Sequence, residues 1–206
     1  IPNQNIFIKY RVWPKPAEAY KFWEYYFQGF REGSYTKIEN QDIENCKKEI
    51  NTLLRRQKKN RILIKITGLA RASIIEKIFK NPKIIYIDRD PRAVIMSYYK
   101  ARWLYKDSKI VEDNLSKMEI LNNYLNLYKL FYQSKNNLKI FDFLQVKYEK
   151  IIESPELFFH NLIGELNLSD DKHFFDYIIK NQIFNQKTNL LWKKELNKEQ
   201  KFFLLL

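Results

Sequence analysis

Two short aliphatic runs separated by a helical stretch constrain the fold of this chain more than any other feature. Residues 61–67 (RILIKIT) end at Gly68, and residues 83–88 (KIIYID) lead into a loop that opens a helix. Between them, residues 71–81 (RASIIEKIFKN) have helical periodicity and stop at Pro82. This βαβα succession is typical of parallel strands buried on both faces. The sequence therefore predicts an α/β fold with a central parallel sheet flanked by helices.

The remaining elements are predicted to be mostly helical, with one further strand. Residues 138–146 (LKIFDFLQV) form the third strand candidate, which ends at Lys147, Tyr148 and Glu149. Apolar residues at helical spacing predict the other elements and their core positions. These helices are residues 17–30 (core Tyr20, Trp23, Phe27, Phe30), 41–59 (Ile43, Cys46, Ile50, Leu53, Leu54), 111–134 (Leu121, Leu125, Tyr128, Phe131), 155–166 and 170–182.

Composition limits the class of protein. With 206 residues and 45% apolar residues, the chain is expected to fold as one domain over 1–206. The single Cys46 excludes an internal disulfide and fits a reducing compartment, so we expect a cytoplasmic location. No run approaches the roughly 18 apolar residues of a membrane span. The chain begins at Ile1 rather than Met, and we expect it to be truncated at its N-terminus.

The net charge of +13 fits a nucleic-acid binder, a membrane-surface protein or an enzyme for phosphate- or sulfate-bearing substrates. The lysines are spread along the whole chain, and no zinc-finger, RGG or basic-leucine pattern occurs, so specific nucleic-acid binding is disfavoured. No His, Cys and carboxylate cluster has metal-ligand spacing, and no metal is expected.

Residues 84–100 (IIYIDRDPRAVIMSYYK) carry the main candidate site. The strand delivers Arg89 at its C-terminal end, where open parallel sheets bind ligands, and Pro91 suits the first turn of a helix. Helix N-terminal amides and a guanidinium both favour an anion, so a phosphate site is predicted with Arg89 as its main ligand, supported by Arg92 and Ser97. An equally weighted alternative is that these arginines pair with Asp88 and Asp90.

Three segments in this order resemble the sulfotransferase family. Residues 61–103 are similar to the family's central segment, in which an R-D-(P or G)-R-A-V element is followed by a serine eight residues after the first arginine, here Arg89 and Ser97. Residues 146–168 (VKYEKIIESPELFFHNLIGELNL) resemble the strand that ends in Tyr-Glu, and residues 192–200 (WKKELNKEQ) are a weaker echo of the C-terminal Trp-basic segment. The resemblance implies a P-loop NTPase-like three-layer fold with a helix-rich C-terminus.

The resemblance also implies the activity. The family transfers a sulfuryl group from 3′-phosphoadenosine-5′-phosphosulfate (PAPS) to a hydroxyl or amine acceptor. By the same resemblance, Arg89 and Ser97 hold the 3′-phosphate of the donor and Tyr148 contacts the adenine side, whereas Lys187 is at best a loose substitute for a C-terminal phosphate ligand. Lys65 is a candidate for reaching the donor, although its alternation with Ile64 and Ile66 fits a strand-edge lysine equally well.

The chain departs from the family pattern at three places. None of Gly29, Gly33, Gly68 and Gly164 lies in a P-[KR]-[ST]-G-[ST]-[ST] phosphosulfate loop, which we expect upstream of Ile1. Gly68 stands where cytosolic members carry a catalytic histidine, and His160 and His173 are expected to be packing or surface residues. The C-terminal R-K-G element is missing. The general base, the acceptor and the oligomeric state are not predicted.

Two other classes stay open at this stage. A P-loop nucleotide kinase or other NTPase shares the architecture but needs G-x-x-x-x-G-K-[ST] and a Walker-B acid, neither of which is visible. A non-catalytic basic nucleotide-binding domain would bind the donor without turnover. The aromatic-rich opening (Tyr20, Phe22, Trp23, Tyr25, Tyr26, Phe27) and Trp103 are candidates for an acceptor pocket, but aromatic residues of this kind more often form core.

Overall fold

The computed structural model of the chain describes residues 20–30, 38–56, 58, 62–102, 104, 114–168, 175–176 and 189–205. The chain divides into two compact units, and the statements below concern the described residues of each. The first unit is Ile1–Pro82 with Ser134–Phe141, and the second is Lys83–Gln133 with Asp142–Leu206. The single domain over 1–206 stays a prediction.

The first unit is helical. It contains α1 (Tyr20–Tyr26), α2 (Asn40–Arg56), α3 (Ala72–Ile78) and a 3₁₀ helix (Lys135–Ile140). Its core joins aromatic residues of α1 and of the turn after it to one face of α2 and of α3, and consists of Phe22, Trp23, Phe27, Phe30, Ile43, Cys46, Ile50, Ile74 and Ile78. Trp23, Phe27, Phe30, Ile43, Cys46 and Ile50 are thereby confirmed as core positions. These aromatic side chains are therefore core rather than an open pocket lining. Burial raises the pKa of the Cys46 thiol to about 12, so it stays protonated at neutral pH.

Arg71 is the most buried charged residue of this unit, with 1% of its surface exposed. Its Nε donates to the Phe30 carbonyl at 2.8 Å and its Nη1 to the Leu69 carbonyl at 2.7 Å. The guanidinium also lies over the Phe30 ring, 5.1 Å from its centre. A buried charge is tolerated only when it is hydrogen-bonded, and these two carbonyls satisfy the guanidinium. Through them, Arg71 connects the end of the aromatic segment to the start of α3.

The strand predicted over residues 61–67 is corrected by the structure. Residues 62–67 make no strand ladder with the described part of the chain, and Arg61 lies outside it. The expected alternation is present, since Ile64 and Ile66 pack against the core of the first unit while Lys65 is exposed. Alternation shows which side of a segment is buried, but a strand also needs a neighbour that supplies its hydrogen bonds.

The second unit contains the sheet. Its elements are β1 (Ile84–Asp88), α4 (Pro91–Ala101), α5 (Lys117–Ser134), β2 (Phe143–Lys147), α6 (Tyr148–Glu153), α7 (Pro155–Glu165), α8 (Leu191–Glu195) and α9 (Lys198–Phe203). β1 and β2 pair in parallel from Ile84↔Phe143 to Asp88↔Lys147. The parallel sheet and the helix-rich character are thus confirmed, with two strands in the described residues where three were predicted.

Two predicted boundaries move for local reasons. The strand candidate over 138–146 begins only at Phe143, because residues 138–140 belong to the 3₁₀ helix. The helix predicted over 111–134 begins at Lys117, after a reciprocal pair in which Glu119 Oε2 accepts from Ser116 N at 2.8 Å and Ser116 Oγ accepts from Glu119 N at 3.3 Å. This capping box fixes the helix start. The helix predicted over 170–182 falls almost entirely outside the described residues.

The core of the second unit packs α4, α5, α8 and α9 together. It consists of Ala93, Ile95, Met96, Ile120, Leu121, Tyr124, Leu125, Trp192, Leu196 and Leu204. Leu121 and Leu125 are confirmed as core positions, and Tyr128 packs against the cluster while remaining partly exposed. None of the helices described is both long and apolar enough to cross a bilayer.

Candidate anion-binding site

Parallel pairing of β1 and β2 brings two of the predicted site residues together. Since Asp88 and Lys147 are register partners at the C-terminal ends of the strands, the next residues, Arg89 and Tyr148, follow at the same edge of the sheet. The Cζ atom of Arg89 lies 4.6 Å from the centre of the Tyr148 ring, which is a cation–π arrangement. The edge where ligands of parallel sheets bind therefore carries a guanidinium supported by an aromatic ring.

Arg89 has one hydrogen-bonding side chain next to it. Its Nε donates to Asn189 Oδ1 at 2.8 Å. Among the described residues, no carboxylate forms an ion pair with Arg89, and its two terminal nitrogens make no hydrogen bond. The Nη edge, which binds carboxylate or phosphate in a bidentate manner, is thus not used by any described group.

A short network holds Asn189 in place. The Asn189 side chain is 4% exposed, and its Nδ2 donates to Glu149 Oε1 at 3.3 Å. The same Glu149 oxygen accepts from the Asp90 backbone N at 3.1 Å. The network therefore joins the loop after β1, the residue after Tyr148 and the segment before α8.

Arg92 is placed differently from Arg89. Its Nη2 donates to Asp90 Oδ2 at 2.7 Å and its Nε to Asp90 Oδ1 at 3.0 Å. The guanidinium stacks on Trp192, with Cζ 3.7 Å from the ring centre. The alternative in which the loop arginines pair with neighbouring aspartates thus holds for Arg92 and not for Arg89. The role of Arg92 as a phosphate ligand stays a prediction, and its guanidinium already forms an ion pair with the Asp90 carboxylate.

The N-terminus of α4 is capped by the chain itself. Asp90 Oδ1 accepts from Arg92 N at 2.9 Å, while the Asp90 carbonyl accepts from the Ala93 and Val94 amides at 3.0 and 3.1 Å. Partial burial raises the pKa of Asp90, but the hydrogen bonds and charge of Arg92 outweigh it and lower the pKa below its ordinary value. Because the carboxylate and the carbonyl of Asp90 already accept from these amides, attraction of an anion to this edge depends on Arg89 rather than on the helix end.

Replacing Asp90 by alanine is expected to lower the free energy of unfolding by about 1–2 kcal/mol at neutral pH, through loss of the helix cap and the Arg92 pair. Since the folded-state pKa is depressed, this stabilisation is present above the unfolded pKa near 4 and disappears as pH falls through the folded value. Urea unfolding at pH 7 and at pH 3 measures it. Asp142→Ala, at an exposed aspartate of the same unit, is the control. A constant difference between wild type and Asp90→Ala at both pH values would contradict the assignment.

Two tyrosines that feel the charge of Asp88, Tyr86 on β1 and Tyr128 on α5, have raised pKa values. Burial, with a smaller contribution from the Asp88 carboxylate, raises the pKa of Tyr86 to about 12. The same two causes raise the pKa of Tyr128. At neutral pH these hydroxyls therefore stay protonated and do not act as bases.

The remaining predicted site residues are not brought to Arg89 by any described contact. Ser97 is exposed on α4, in its second turn, and Lys65 lies in the first unit. Lys187, His173 and Trp103 lie outside the described residues. His160 is exposed and stacks on Phe175 with ring centres 4.0 Å apart, which agrees with a packing role.

Asn189, Glu149 and Trp192 are the parts of the site that sequence reasoning did not assign. Glu149 stands beside Tyr148 in the Tyr-Glu strand end, and Trp192 begins the C-terminal Trp-basic segment, so both had a local signal. Asn189 had none, since it meets Arg89 across 100 residues of chain. Within the residues that the structure describes, no group of three or more His, Cys, Asp or Glu side chains is arranged to hold a metal ion.

Comparison with known proteins adds one finding. The sequence model of the sulfotransferase family matches residues 17–172, which is well over half of the chain and includes Arg89, Arg92, Ser97 and Tyr148. No curated protein and no solved structure matches the chain. Together with the Arg-Asp-Pro-Arg-Ala-Val loop after β1 and the Tyr-Glu pair after β2, this match shows that the chain belongs to the sulfotransferase family.

Proposed function

We propose that this protein transfers a sulfuryl group from PAPS to a hydroxyl or amine acceptor, and that Arg89 binds the 3′-phosphate of the donor. The observation that carries the proposal is the Nη edge of Arg89, which no described group uses, at the C-terminal edge of a parallel sheet. Membership of the sulfotransferase family supports sulfuryl transfer as the reaction that this anion-binding edge serves.

The described residues suit the 3′-phosphate side of the donor. A guanidinium is always charged and presents paired donors that match phosphate oxygens. The Tyr148 ring supports it from one side at 4.6 Å and offers an aromatic surface next to the phosphate position. Ser97 and Arg92 are proposed as further ligands, and Lys187 as a weaker one.

We further propose a P-loop NTPase-like architecture. In-register parallel strands whose following loops meet at one edge support it. The sequence holds no glycine-rich loop for the 5′-phosphosulfate, so the arginines are assigned to the 3′-phosphate of the donor and Tyr148 to its adenine side. Lys65 is proposed, from the resemblance alone, to reach the donor.

In this proposal the acceptor oxygen or nitrogen attacks sulfur in line, and 3′,5′-bisphosphate leaves. Binding and orientation carry most of the rate, because little covalent chemistry falls to the protein in such transfers. Arg89 contributes by holding the donor and by balancing the charge of the leaving bisphosphate. The acceptor class is not assigned, and the proposal includes neither a metal nor a specific nucleic acid.

A reducing compartment, the cytoplasm, is the location that we propose. Cys46 is a buried thiol with no disulfide, which fits a reducing environment.

The test is a calorimetric titration of adenosine 3′,5′-bisphosphate and, separately, of 5′-AMP into the protein. A 3′-phosphate that meets a free guanidinium is expected to strengthen binding at least tenfold, since hydrogen bonds to charged groups contribute about 1.5–3 kcal/mol. Equal affinity for the two nucleotides would overturn the proposal. A preference for ATP with magnesium would instead favour a nucleotide kinase, and salt-dependent binding to DNA or RNA without nucleotide preference would favour a basic binding domain.

A further inference from the structure

We propose that Asn189 is a positioning residue for Arg89. It holds the guanidinium in place without pairing its charge with a carboxylate, and so sets the preference for a 3′-phosphorylated nucleotide. The proposal rests on the function proposed above, and it adds a residue that lies beyond the segment matched by the family model. Asn189 acts through Arg89 rather than by touching the nucleotide.

The orientation of the Asn189 amide is fixed by its two neighbours. Its oxygen faces a group that can only donate, Arg89 Nε at 2.8 Å, and its nitrogen faces a group that accepts, Glu149 Oε1 at 3.3 Å. A flipped amide would place donor against donor and acceptor against acceptor. The side chain is 4% exposed, so water contributes little to satisfying either partner.

The amide also separates a positive from a negative charge. Glu149 is the carboxylate of this network, and Asn189 stands between it and Arg89. A carboxylate in direct contact would pair with the guanidinium and compete with a phosphate for it. Asn189 instead satisfies Nε through a neutral oxygen and leaves the Nη edge unpaired among the described residues.

Arg92 shows what direct pairing does in the same loop. It is three residues from Arg89, and both its Nε and its Nη2 are bound to the Asp90 carboxylate. The two arginines therefore differ in their Nε partner, which is an amide for Arg89 and a carboxylate for Arg92. This difference explains why the structure leaves Arg89, and not Arg92, with an unpaired terminal edge.

The segment that carries Asn189 is itself anchored. Trp192 follows three residues later at the start of α8, is 7% exposed, and stacks on Arg92 at 3.7 Å. The anchor holds Asn189 against the loop after β1, which makes the amide a fixed support rather than a mobile surface side chain.

The experiment exchanges the two groups. The double variant Asn189→Asp with Glu149→Gln keeps the net charge but places the carboxylate directly against Arg89. Because Glu149 Oε1 accepts from both Asn189 Nδ2 and Asp90 N, the new glutamine amide can donate to the new carboxylate or accept from Asp90 N at that position, but not both. Asn189→Asp alone and Asn189→Ala complete the set, and Asn126→Ala, at an exposed asparagine of α5, is the matched control. The readout is the ratio of the dissociation constants of 5′-AMP and adenosine 3′,5′-bisphosphate, measured together with the thermal midpoint of each variant.

We expect the exchanged variant to lose about tenfold of the 3′-phosphate preference, because its Arg89 is paired with a carboxylate, while its affinity for 5′-AMP stays near wild type. Its thermal midpoint is expected to fall modestly, because one hydrogen bond of the network is lost. Asn189→Asp alone is expected to lose at least as much, and serves as the test if the exchanged variant does not fold. Asn189→Ala, which frees Nε without adding a charge, is expected to lose less than either.

A merely structural Asn189 predicts a different pattern. In Asn189→Asp and in Asn189→Ala alike, the affinities for both nucleotides would fall together with the thermal midpoint, and the ratio of the two dissociation constants would stay near wild type. That pattern, or an exchanged variant with wild-type preference, would overturn the inference. If the wild type itself shows no 3′-phosphate preference, the proposed function fails instead, and the two failures are therefore distinct.

Discussion

Arg89→Ala is expected to weaken the binding of adenosine 3′,5′-bisphosphate about a hundredfold, which corresponds to about 2.7 kcal/mol, while 5′-AMP binding changes little. The reason is geometric. Arg89 is the loop arginine whose terminal nitrogens no described group occupies, and Tyr148 holds it at the sheet edge from 4.6 Å. The loss should therefore fall on the 3′-phosphate alone.

Arg89→Lys separates charge from shape. Lysine keeps a positive charge but has no planar guanidinium. It cannot donate to Asn189 Oδ1 and at the same time present two parallel donors to a phosphate, so we expect it to recover only part of the affinity. Arg55→Ala, at an exposed arginine of α2, controls for a general loss of positive charge. Calorimetry with both nucleotides measures the set. Arg89→Ala with undiminished preference for the bisphosphate would exclude Arg89 as the phosphate ligand.

The second large effect is on stability. Trp192→Ala is expected to lower the free energy of unfolding by about 3–5 kcal/mol, as for other large buried aromatic residues. Trp192 is 7% exposed within the core of the second unit and carries the stacked Arg92 guanidinium on its ring. Its removal leaves a cavity between α4 and α8 and also releases the segment that holds Asn189.

Trp192→Phe is the matched control. The indole Nε1 has no hydrogen-bond partner among the described residues, so phenylalanine loses ring volume but no polar contact that the structure shows. We expect this variant to lose clearly less stability than Trp192→Ala. Urea unfolding followed by circular dichroism measures both, since it does not depend on the tryptophan that is removed. Equal losses for the two variants would show that ring packing is not what Trp192 contributes.

Prediction from sequence succeeded where the signal is local. The aliphatic run of β1, the Asp-Pro start of α4 and the Tyr-Glu strand end each occupy a few consecutive residues. They predicted a parallel sheet and Arg89 at the C-terminal end of a strand, and their resemblance to the sulfotransferase family is confirmed by the match over residues 17–172. It failed at residues 62–67, because alternation is encoded locally whereas ladder partners are not.

The sequence by itself thus determined the strands β1 and β2, the loop with its two arginines and the family to which the chain belongs. Only the tertiary structure decided which arginine remains available. Arg89 and Arg92 look alike in sequence, and they differ because Asn189 approaches one from 100 residues away while Asp90 and Trp192 bind the other. A contact made across that distance depends on how helices and strands pack, and packing leaves no short pattern in the chain.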